Sequence, residues 1–246
     1  MSGERWALVT GGSRGIGRAV SLELAKSDWN VGIVYLRNDD AAASAALAVQ
    51  ASGRKCLVYR ANLAKPEECS GVIDRFREDA GPLAGLVHAA GLGSLSPVLA
   101  TRPARWQIAW DTHVGALVAL ASAAQTLFAE RASIVAFTSL GARHVMPGYA
   151  PIAAAKGALE SLVRYLAAEL SSKSVNVNAI RGGPVDTDSL RSFATFGEVE
   201  AESRRRQPGR LGKPEDIAPI AAFLLSPGAR WINGQVITAD GGFGLS

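Results

Sequence analysis

Cysteine is scarce in this sequence, which contains only Cys56 and Cys69, and their spacing is not that of a metal site. So few cysteines do not form the framework of a disulfide-rich secreted domain. No uncharged apolar run approaches the length of about 18 residues that a membrane span requires, and no signal peptide precedes the first predicted strand. We therefore expect a cytoplasmic protein that contacts no membrane and binds no metal, with both cysteines reduced and packed.

The chain also lacks internal repeats, linkers and low-complexity segments other than alanine-rich helical stretches. Its 246 residues are 48% hydrophobic, which is enough to bury a core, and the length favours a single domain over residues 1–246. A net charge of +4 would suit nucleic acid, but the basic residues are scattered and no nucleic-acid-binding motif accompanies them. We do not expect nucleic acid as a partner.

A glycine-rich turn near the N-terminus is the stretch around which the rest of the chain is organised. Apolar residues over 6–10 predict a buried strand, Gly11, Gly15 and Gly17 turn the chain, and apolar residues at helical spacing follow. A backbone without Cβ atoms lets a pyrophosphate lie against the helix N-terminus, where free N–H groups favour anions. The turn is a candidate nucleotide cradle, although alone it also fits a tight connection that binds nothing.

Six further apolar runs alternate with helical patterns after this unit. The alternation predicts an α/β fold of the Rossmann type, a doubly wound parallel sheet of seven strands flanked by helices, with its ligand crevice beyond the carboxyl ends of the strands. A long helix is predicted from Arg105 toward Phe128, and the weakly periodic segment 188–208 is a candidate substrate lid. The later predicted strands cover 31–36, 55–60, 83–90, 133–138, 175–180 and 235–242.

The second predicted strand ends without an acidic residue, at Tyr35-Leu36-Arg37. In dinucleotide folds, an acid at this place accepts from the ribose 2′-hydroxyl of NAD, whereas a basic residue accommodates the 2′-phosphate of NADP. Arg14 in the glycine turn is also basic. The sequence therefore predicts NADPH as the cofactor, unless both arginines are simply solvated surface charges.

Five short motifs then occur in a fixed order, and together they identify a family. The motifs are Thr10-Gly-x-x-x-Gly-x-Gly17, Ala89-Ala90-Gly91, Ser139, Lys156 and Asp240-Gly241-Gly242. With this series of motifs, the whole chain resembles the short-chain dehydrogenase/reductases.

The position of the active-site tyrosine separates branches of that family. Most members have a catalytic Tyr four positions before the Lys, and Ile152 stands there in this chain. Tyr149 lies farther away, with six residues between it and Lys156, and this spacing resembles the enoyl-acyl-carrier-protein reductases. The run Arg164–Leu170 and the loop Gly182–Asp188 are similar to the NADPH-dependent branch called enoyl reductase III.

Three positions depart from the family pattern. His88 replaces the first Asn of the usual Asn-Asn-Ala-Gly, Asn62 replaces the usual Asp after the third strand, and His113 stands where the family has its proton-relay Asn. Loss of that Asn matters most for an alcohol dehydrogenase or ketoreductase, so this departure agrees with the tyrosine spacing. His113 also fits an ordinary helix residue with a satisfied ring.

The resemblance implies a catalytic group made of Ser139, Tyr149 and Lys156. An enoyl thioester accepts hydride at C3 while negative charge gathers on the thioester oxygen, so the hydrogen-bond donor must lie farther from the nicotinamide than in a ketone reductase. Tyr149 would donate to that oxygen, and Lys156 would hold the nicotinamide ribose. The residues assigned to the cofactor are Gly11, Ser13, Arg14, Gly15, Ile16, Gly17, Arg37, Asn62, Leu63, Ala89, Ala90, Gly91, Thr138, Lys156, Gly183, Val185 and Thr187.

Pro151 fits best at the first helical position, so Tyr149 is predicted to lie in the loop just ahead of a helix over 151–170. The alternative is that Tyr149 is an ordinary loop aromatic and that Ile152 marks a lost active site. The leading interpretation is an NADPH-dependent reductase of trans-2-enoyl thioesters in fatty-acid or polyketide-like synthesis. Its rivals are a ketoreductase or dehydrogenase acting on a carbonyl or alcohol, and an NADPH-binding protein without turnover.

Two further expectations concern partners. A run of arginines beside the candidate lid could attract an acidic acyl carrier protein, although a solvated face explains such a run equally well. The resemblance also implies a homo-oligomer, a tetramer, with one two-fold contact on the helix over 151–170. The arginines are Arg204, Arg205, Arg206 and Arg210.

Overall fold

The computed structural model describes residues 4–206 and 208–245 and contains one parallel sheet of seven strands. The strand order is β3-β2-β1-β4-β5-β6-β7, with helices on both faces. The predicted doubly wound fold is therefore confirmed. The strands are β1 Trp6–Thr10, β2 Asn30–Tyr35, β3 Cys56–Arg60, β4 Leu83–His88, β5 Phe128–Ser139, β6 Asn176–Gly182 and β7 Val236–Ala239.

Nine α-helices occur in the described ranges, and local sequence explains where several of them begin. The Asn38 side chain accepts a hydrogen bond from the N–H of Ala41 and so caps α2. Proline lies in the first turn of α3, α4, α6 and α9, where its missing N–H has no helical partner to lose. The helices are α1 Gly15–Lys26, α2 Asp39–Gln50, α3 Pro66–Asp79, α4 Pro103–Trp110, α5 Ala116–Ala123, α6 Ala150–Glu169, α7 Asp188–Arg191, α8 Phe196–Arg205 and α9 Pro214–Leu225.

Each face of the sheet has its own hydrophobic core. On one face, Phe76 of α3, Leu117 of α5 and Leu159 of α6 pack against the strands, and all three are fully buried. On the other face, Leu24 of α1 and Leu224 of α9 do the same. Each such side chain contributes about 1.5–3 kcal/mol by leaving water. With both faces covered, the carboxyl ends of the strands remain open for a ligand.

The order of the strands reverses at β1, which pairs with β2 on one side and with β4 on the other. Thr10 at the end of β1 is in register with Val34 and with His88. Ligands of open α/β sheets bind in the crevice beside such a switch point. The glycine-rich turn follows Thr10 and therefore lies at the edge of this crevice.

The expected long helix that starts near Arg105 is present, but it contains a π-turn and ends before Phe128. After α4, residues Asp111–Gly115 form the π-turn, which continues directly into α5, and α5 ends at Ala123. A π-turn adds one residue to a helical turn, and apolar spacing did not reveal it. Phe128 already belongs to β5, where it pairs with Leu83 before a shift in register.

Other boundaries differ less. β4 ends at His88 and β7 at Ala239, so the last residues of both predicted strands lie in loops. The candidate lid segment 188–208 contains α7 and α8. None of the helices in the described ranges is long and apolar enough to cross a membrane.

Candidate active site

The glycine turn brings three of the predicted cofactor segments together. Gly11 and Gly15 have φ values of +68° and +52°, which favour glycine. A Cβ on Gly11 would lie 3.0 Å from the backbone nitrogen of Ala90, and one on Gly15 would lie 3.3 Å from Thr187 Cγ2. The turn after β1, the loop after β4 and the loop after β6 therefore converge on one crevice.

The start of α1 has the properties of an anion site. Gly17 lies so close to the carbonyl oxygen of Gly11 that a Cβ there would overlap it, which keeps the turn tight. Arg14 is the N-cap residue and provides no side-chain hydrogen bond to the helix. The first N–H groups of a helix have no intrahelical partner and attract negative charge. Ser13 is buried in the turn and Ile16 is only partly exposed. Because its first N–H groups are free, the start of α1 fits a dinucleotide pyrophosphate.

The two predicted phosphate-binding arginines, Arg14 and Arg37, are exposed. Within the described part of the chain, neither guanidinium forms an ion pair or hydrogen bond, so both remain free to bind a ligand. Asp39, which follows Arg37 closely, accepts a hydrogen bond from the Tyr35 hydroxyl at 2.8 Å and lies 3.9 Å from Arg60. This acid is therefore already partnered.

The polar groups of Asn62 and Leu63 form hydrogen bonds within the turn that follows β3 and with the start of α3. The N–H of Asn62 donates to Glu68 at 2.6 Å, and its side-chain oxygen accepts from the N–H of Ala64. Leu63 is buried in the core, and its carbonyl accepts from the thiol of Cys69. These polar groups hold the turn after β3, so any contact with a cofactor must use what remains of the Asn62 side chain and the backbone.

Tyr149 and Ser139, two of the predicted catalytic residues, meet at the carboxyl end of β5. Tyr149 is the N-cap residue of α6, in agreement with the position expected from Pro151. Burial raises the pKa of Tyr149, and a hydrogen bond from the Ser139 hydroxyl offsets part of that rise. The ring packs against Gly141, where a Cβ would come within 2.5 Å of it, and against Phe193, whose ring centre is 6.2 Å away. Tyr149 is therefore held in place as an acid that stays protonated at neutral pH.

Lys156, the third predicted catalytic residue, lies on the inner face of α6 and is 8% exposed. Its Nζ donates to the carbonyl oxygen of Phe137 at 2.6 Å, and burial lowers its pKa to about 7. Ile152, at the family's usual tyrosine position, is buried and packs directly on Gly93. An apolar side chain therefore stands where most of the family has its phenol.

The structure groups His88 and His113 with Thr112 beside Lys156, a cluster that sequence reasoning did not assemble. The expectation of a satisfied His113 ring is wrong, because neither of its ring nitrogens has a hydrogen-bond partner among the described residues. Five buried side-chain nitrogen or oxygen atoms in the described ranges lack a hydrogen-bond partner, and four of them belong to this cluster. The π-turn carries Thr112 and His113, while His88 Nδ1 lies 3.0 Å from the Thr10 hydroxyl. The signal in the sequence was that histidine replaces asparagine at two positions of the family pattern.

Both histidine rings of this cluster are neutral at physiological pH. Burial, and then the charge of Lys156, lower the pKa of His88 to about 3. The pKa of His113 is lowered well below its ordinary value for the same reasons, with a contribution from His88. A neutral imidazole offers one donor and one acceptor, so the two rings add hydrogen-bonding capacity beside Lys156 without adding charge.

The lid arginines are each partnered by an acid. Arg204 contacts Glu200, and both Arg205 and Arg206 contact Glu202. Arg210 forms two hydrogen bonds with Asp216. Because each guanidinium has a carboxylate beside it, the arginine run presents little unpaired positive charge. At the other end of the lid, the Thr187 side chain caps α7, and Val185 forms a bridge with Gly212.

Thr138 is placed differently from its prediction, since its side chain points toward α6. Its hydroxyl donates to Glu160 at 3.0 Å, and Glu160 also binds Arg181 of β6 in a buried ion pair. Only backbone atoms of Thr138 are left for a cofactor. The signal that could have revealed the ion pair is an arginine directly after the apolar residues Ala179 and Ile180.

Known proteins resemble this chain over nearly all of its length. A family model described as Enoyl-(Acyl carrier protein) reductase matches residues 11–244. The chain belongs to the short-chain dehydrogenase/reductases. The 1-cyclohexenylcarbonyl-CoA reductase of Streptomyces collinus is 31% identical over 97% of this chain and 86% of that protein. The 3-oxoacyl-[acyl-carrier-protein] reductase FabG of Staphylococcus epidermidis is 30% identical over 96% of this chain and 97% of its own length.

Solved structures of the same superfamily superpose closely on this protein. A blue fluorescent protein from a metagenomic library, solved in complex with NADPH, has a TM-score of 0.91, 29% identity and 98% coverage of both chains. A short-chain dehydrogenase of Burkholderia cenocepacia, solved in complex with NADP, has the same TM-score, 32% identity and 98% coverage of both chains. Its fold and family make this protein an oxidoreductase.

Proposed function

We propose that this protein is an NADPH-dependent reductase of the carbon–carbon double bond of trans-2-enoyl thioesters. One observation carries the proposal: Tyr149 is held at the N-cap of α6 against Gly141 and Phe193, while Ile152 fills the position from which the family's usual tyrosine acts. The site thus has its proton donor ahead of α6 and not within the first turn of that helix. This placement suits a charge that develops on the thioester oxygen, which is three bonds from the carbon that accepts hydride, whereas a ketone oxygen is one bond away.

NADPH supplies the hydride when it is bound. The residues of this chain fit it: the start of α1 would hold the pyrophosphate, and the unpaired Arg14 and Arg37 would bind the 2′-phosphate. Charge-assisted bonds from guanidinium groups favour NADPH over NADH, because no free acid stands ready for an unsubstituted 2′-hydroxyl. The NADPH and NADP complexes of the two superposed structures support the same cofactor.

Tyr149 and Ser139 would stabilise the enolate. Addition of hydride to C3 leaves negative charge on the thioester oxygen, and a donor aimed at that oxygen lowers the barrier. Since burial raises the pKa of Tyr149, its hydroxyl remains protonated and able to donate at neutral pH. The Ser139 hydroxyl supports the same oxygen from the end of β5.

Lys156 would hold the nicotinamide ribose. Its side chain is long enough to leave the carbonyl of Phe137 for a ribose hydroxyl, and its pKa of about 7 leaves a substantial ammonium fraction at neutral pH. A cation in this buried place also stabilises the developing anion.

The names of the two relatives describe two different reactions. The name of the Streptomyces protein describes a CoA thioester whose double bond lies next to the carbonyl, which is the substrate chemistry proposed here. The name of the Staphylococcus protein describes reduction of a 3-oxo group. A carbonyl reductase is therefore the second candidate, and the Ser139–Tyr149 pair favours it as well, since the same two hydroxyls can bind a ketone oxygen. An NADPH-binding protein without turnover is the third.

The proposal extends to partners. We propose an acyl thioester carried by an acyl carrier protein as the substrate, in fatty-acid or polyketide-like synthesis in the cytoplasm. We also propose a homotetramer, for which the exposed aromatic side chains of Trp110 on α4 and Tyr165 on α6 offer apolar contact surface.

The test compares two matched thioesters. Purified protein is mixed with NADPH and either crotonyl-CoA or acetoacetyl-CoA, and loss of nicotinamide absorbance is followed. We expect turnover of crotonyl-CoA to exceed that of acetoacetyl-CoA by roughly 10²-fold or more in kcat/KM, the scale of one well-placed transition-state hydrogen bond. Preference for acetoacetyl-CoA would support the carbonyl reductase, and NADPH binding without turnover of either would support the third candidate.

A further inference from the structure

Three neighbouring strands carry a row of polar side chains one residue before the carboxyl edge of the sheet. Thr138 of β5, Arg181 of β6 and Thr238 of β7 are partners in the strand register. Register partners point to the same face of a sheet, so the three side chains lie side by side beneath α6. The Glu160 side chain of α6 packs over this row and accepts hydrogen bonds from two of its members, Thr138 and Arg181.

The contacts form a closed network. The Arg181 guanidinium makes a two-pronged ion pair with Glu160, with Nε to Oε1 at 2.8 Å and Nη2 to Oε2 at 2.6 Å. Its Nη1 donates to the Thr238 hydroxyl at 3.1 Å, and Thr138 donates to Glu160. The exposed Arg143 lies 3.7 Å from the same carboxylate. Every charged atom of the pair has a partner.

Stability alone does not explain why this pair is buried. The side chains of Arg181 and Glu160 are 7% and 8% exposed, so both charges have been taken out of water. The cost of that desolvation commonly equals or exceeds the attraction between the charges, and an apolar pair of similar volume serves stability as well or better. What a two-pronged ion pair adds is direction, because the planar guanidinium fixes both the distance and the orientation of its partner.

The segments that the pair joins are those of the candidate active site. Glu160 lies one helical turn after Lys156, and Thr138, its other partner, immediately precedes Ser139. Arg181 stands two residues before Gly183, where the predicted cofactor loop Gly183–Thr187 begins. The Thr138 hydroxyl also lies 3.4 Å from the Lys156 carbonyl oxygen.

We propose that the Glu160–Arg181 pair is a positioning device for the nicotinamide-ribose half of the dinucleotide site. It fixes α6, and with it Lys156, relative to the start of the loop Gly183–Thr187 that faces the same half. The inference rests on the proposed dinucleotide cofactor and is independent of which substrate carbon accepts hydride. Both residues act through Lys156 and the loop, so neither is a catalytic residue.

The test measures binding of two ligands, one of which lacks the whole nicotinamide-ribose half. NADP⁺ uses both halves of the site, whereas adenosine 2′,5′-bisphosphate, which has neither the nicotinamide nor its ribose, serves as the probe of the adenosine half. The main variant is the double substitution Glu160→Leu with Arg181→Met, which removes both charges together and keeps apolar volume in the buried space. Arg181→Lys is the second variant, because it keeps the charge and loses the two-pronged geometry.

We expect the double variant to keep a thermal midpoint near that of the native protein and to bind adenosine 2′,5′-bisphosphate normally. Its affinity for NADP⁺ should fall by roughly tenfold or more, since small displacements of binding groups weaken their contacts with the ligand. Arg181→Lys should show the same selective loss, with a smaller size. Asp74→Asn, which breaks the exposed pair with Arg77, is the matched control and should leave both affinities unchanged.

Equal affinity of the double variant and the native protein for NADP⁺ would overturn the proposal and leave the pair a purely structural element. An equal loss of affinity for both ligands would also overturn it, since the pair would then act on the whole fold. If the double variant does not fold, Arg181→Lys decides by the same comparison. No substrate is present in these measurements, so a failure of enoyl reduction leaves their outcome unaffected.

Discussion

Replacing Tyr149 by phenylalanine removes one hydroxyl and little else. The ring of Tyr149 packs edge-on against Phe193 and lies in the space that Gly141 leaves open, and phenylalanine keeps both contacts. The lost hydrogen bond to Ser139 is worth about 0.5–1.5 kcal/mol of stability in a typical protein. We therefore expect Tyr149→Phe to fold and to bind NADPH with nearly unchanged affinity.

Turnover should respond differently. If the Tyr149 hydroxyl donates to the enolate oxygen, the bond is made chiefly in the transition state, so its loss lowers kcat while KM changes little. Removing one donor of this type costs roughly 10²-fold in kcat or more, which corresponds to about 2.7 kcal/mol. The assay follows oxidation of NADPH by a crotonyl thioester, with NADPH affinity measured separately by its fluorescence.

A second variant tests whether position matters more than the presence of a phenol. Ile152→Tyr, added to Tyr149→Phe, restores the spacing that is usual in the family. It should not rescue enoyl reduction, because its phenol would lie near C3, where no charge develops, and because Gly93 already contacts the Ile152 side chain. Near-normal enoyl reduction by Tyr149→Phe would refute the reasoning and make Tyr149 a packing residue.

The remaining predictions address the cofactor, pH and assembly. Arg37→Ala should raise KM for NADPH far more than for NADH; equal effects would refute its contact with the 2′-phosphate. Burial lowers the pKa of Lys156 from 10.5 to about 7. Between pH 7 and pH 10.5 the unfolded chain therefore binds more protons than the folded protein, and the contribution of Lys156 makes the free energy of unfolding rise with pH. Lys156→Met should remove that rise in denaturant titrations and should stabilise the protein more at pH 6 than at pH 9; a gain that does not vary with pH would show that the ammonium is not desolvated. Light scattering at micromolar concentration should give the mass of a tetramer, and a monomer would contradict the proposed assembly.

The sheet was predictable because each central strand is apolar on both sides. Runs such as Trp6–Thr10 and Val31–Val34 are buried on both faces, and a buried parallel strand shows this pattern directly in the sequence. The tight turn at Gly11 was equally readable, since few other residues adopt its positive φ. The position of Tyr149 just ahead of α6 followed from the backbone restriction that Pro151 imposes.

The features that sequence reasoning missed depend on tertiary packing. The π-turn at Asp111–Gly115 has no signature in apolar spacing, because one extra residue in a helix rotates the following side chains without changing their composition. Arg181 lies just beyond the predicted strand 175–180, and only the approach of Glu160 from α6 shows why a charge is buried there. Long-range partners of this kind cannot be inferred from one sequence.

Transfer of deuterium from NADPH labelled at the hydride position shows directly whether this protein reduces the carbon–carbon double bond of an enoyl thioester. The native protein is supplied with labelled NADPH and a crotonyl thioester, and the product is analysed by mass spectrometry and NMR. If it does, we expect a saturated butyryl thioester with deuterium at C3 and a solvent-derived hydrogen at C2. Failure to reduce the crotonyl thioester, together with formation of a deuterated 3-hydroxybutyryl thioester from the acetoacetyl substrate, would contradict it and identify a carbonyl reductase.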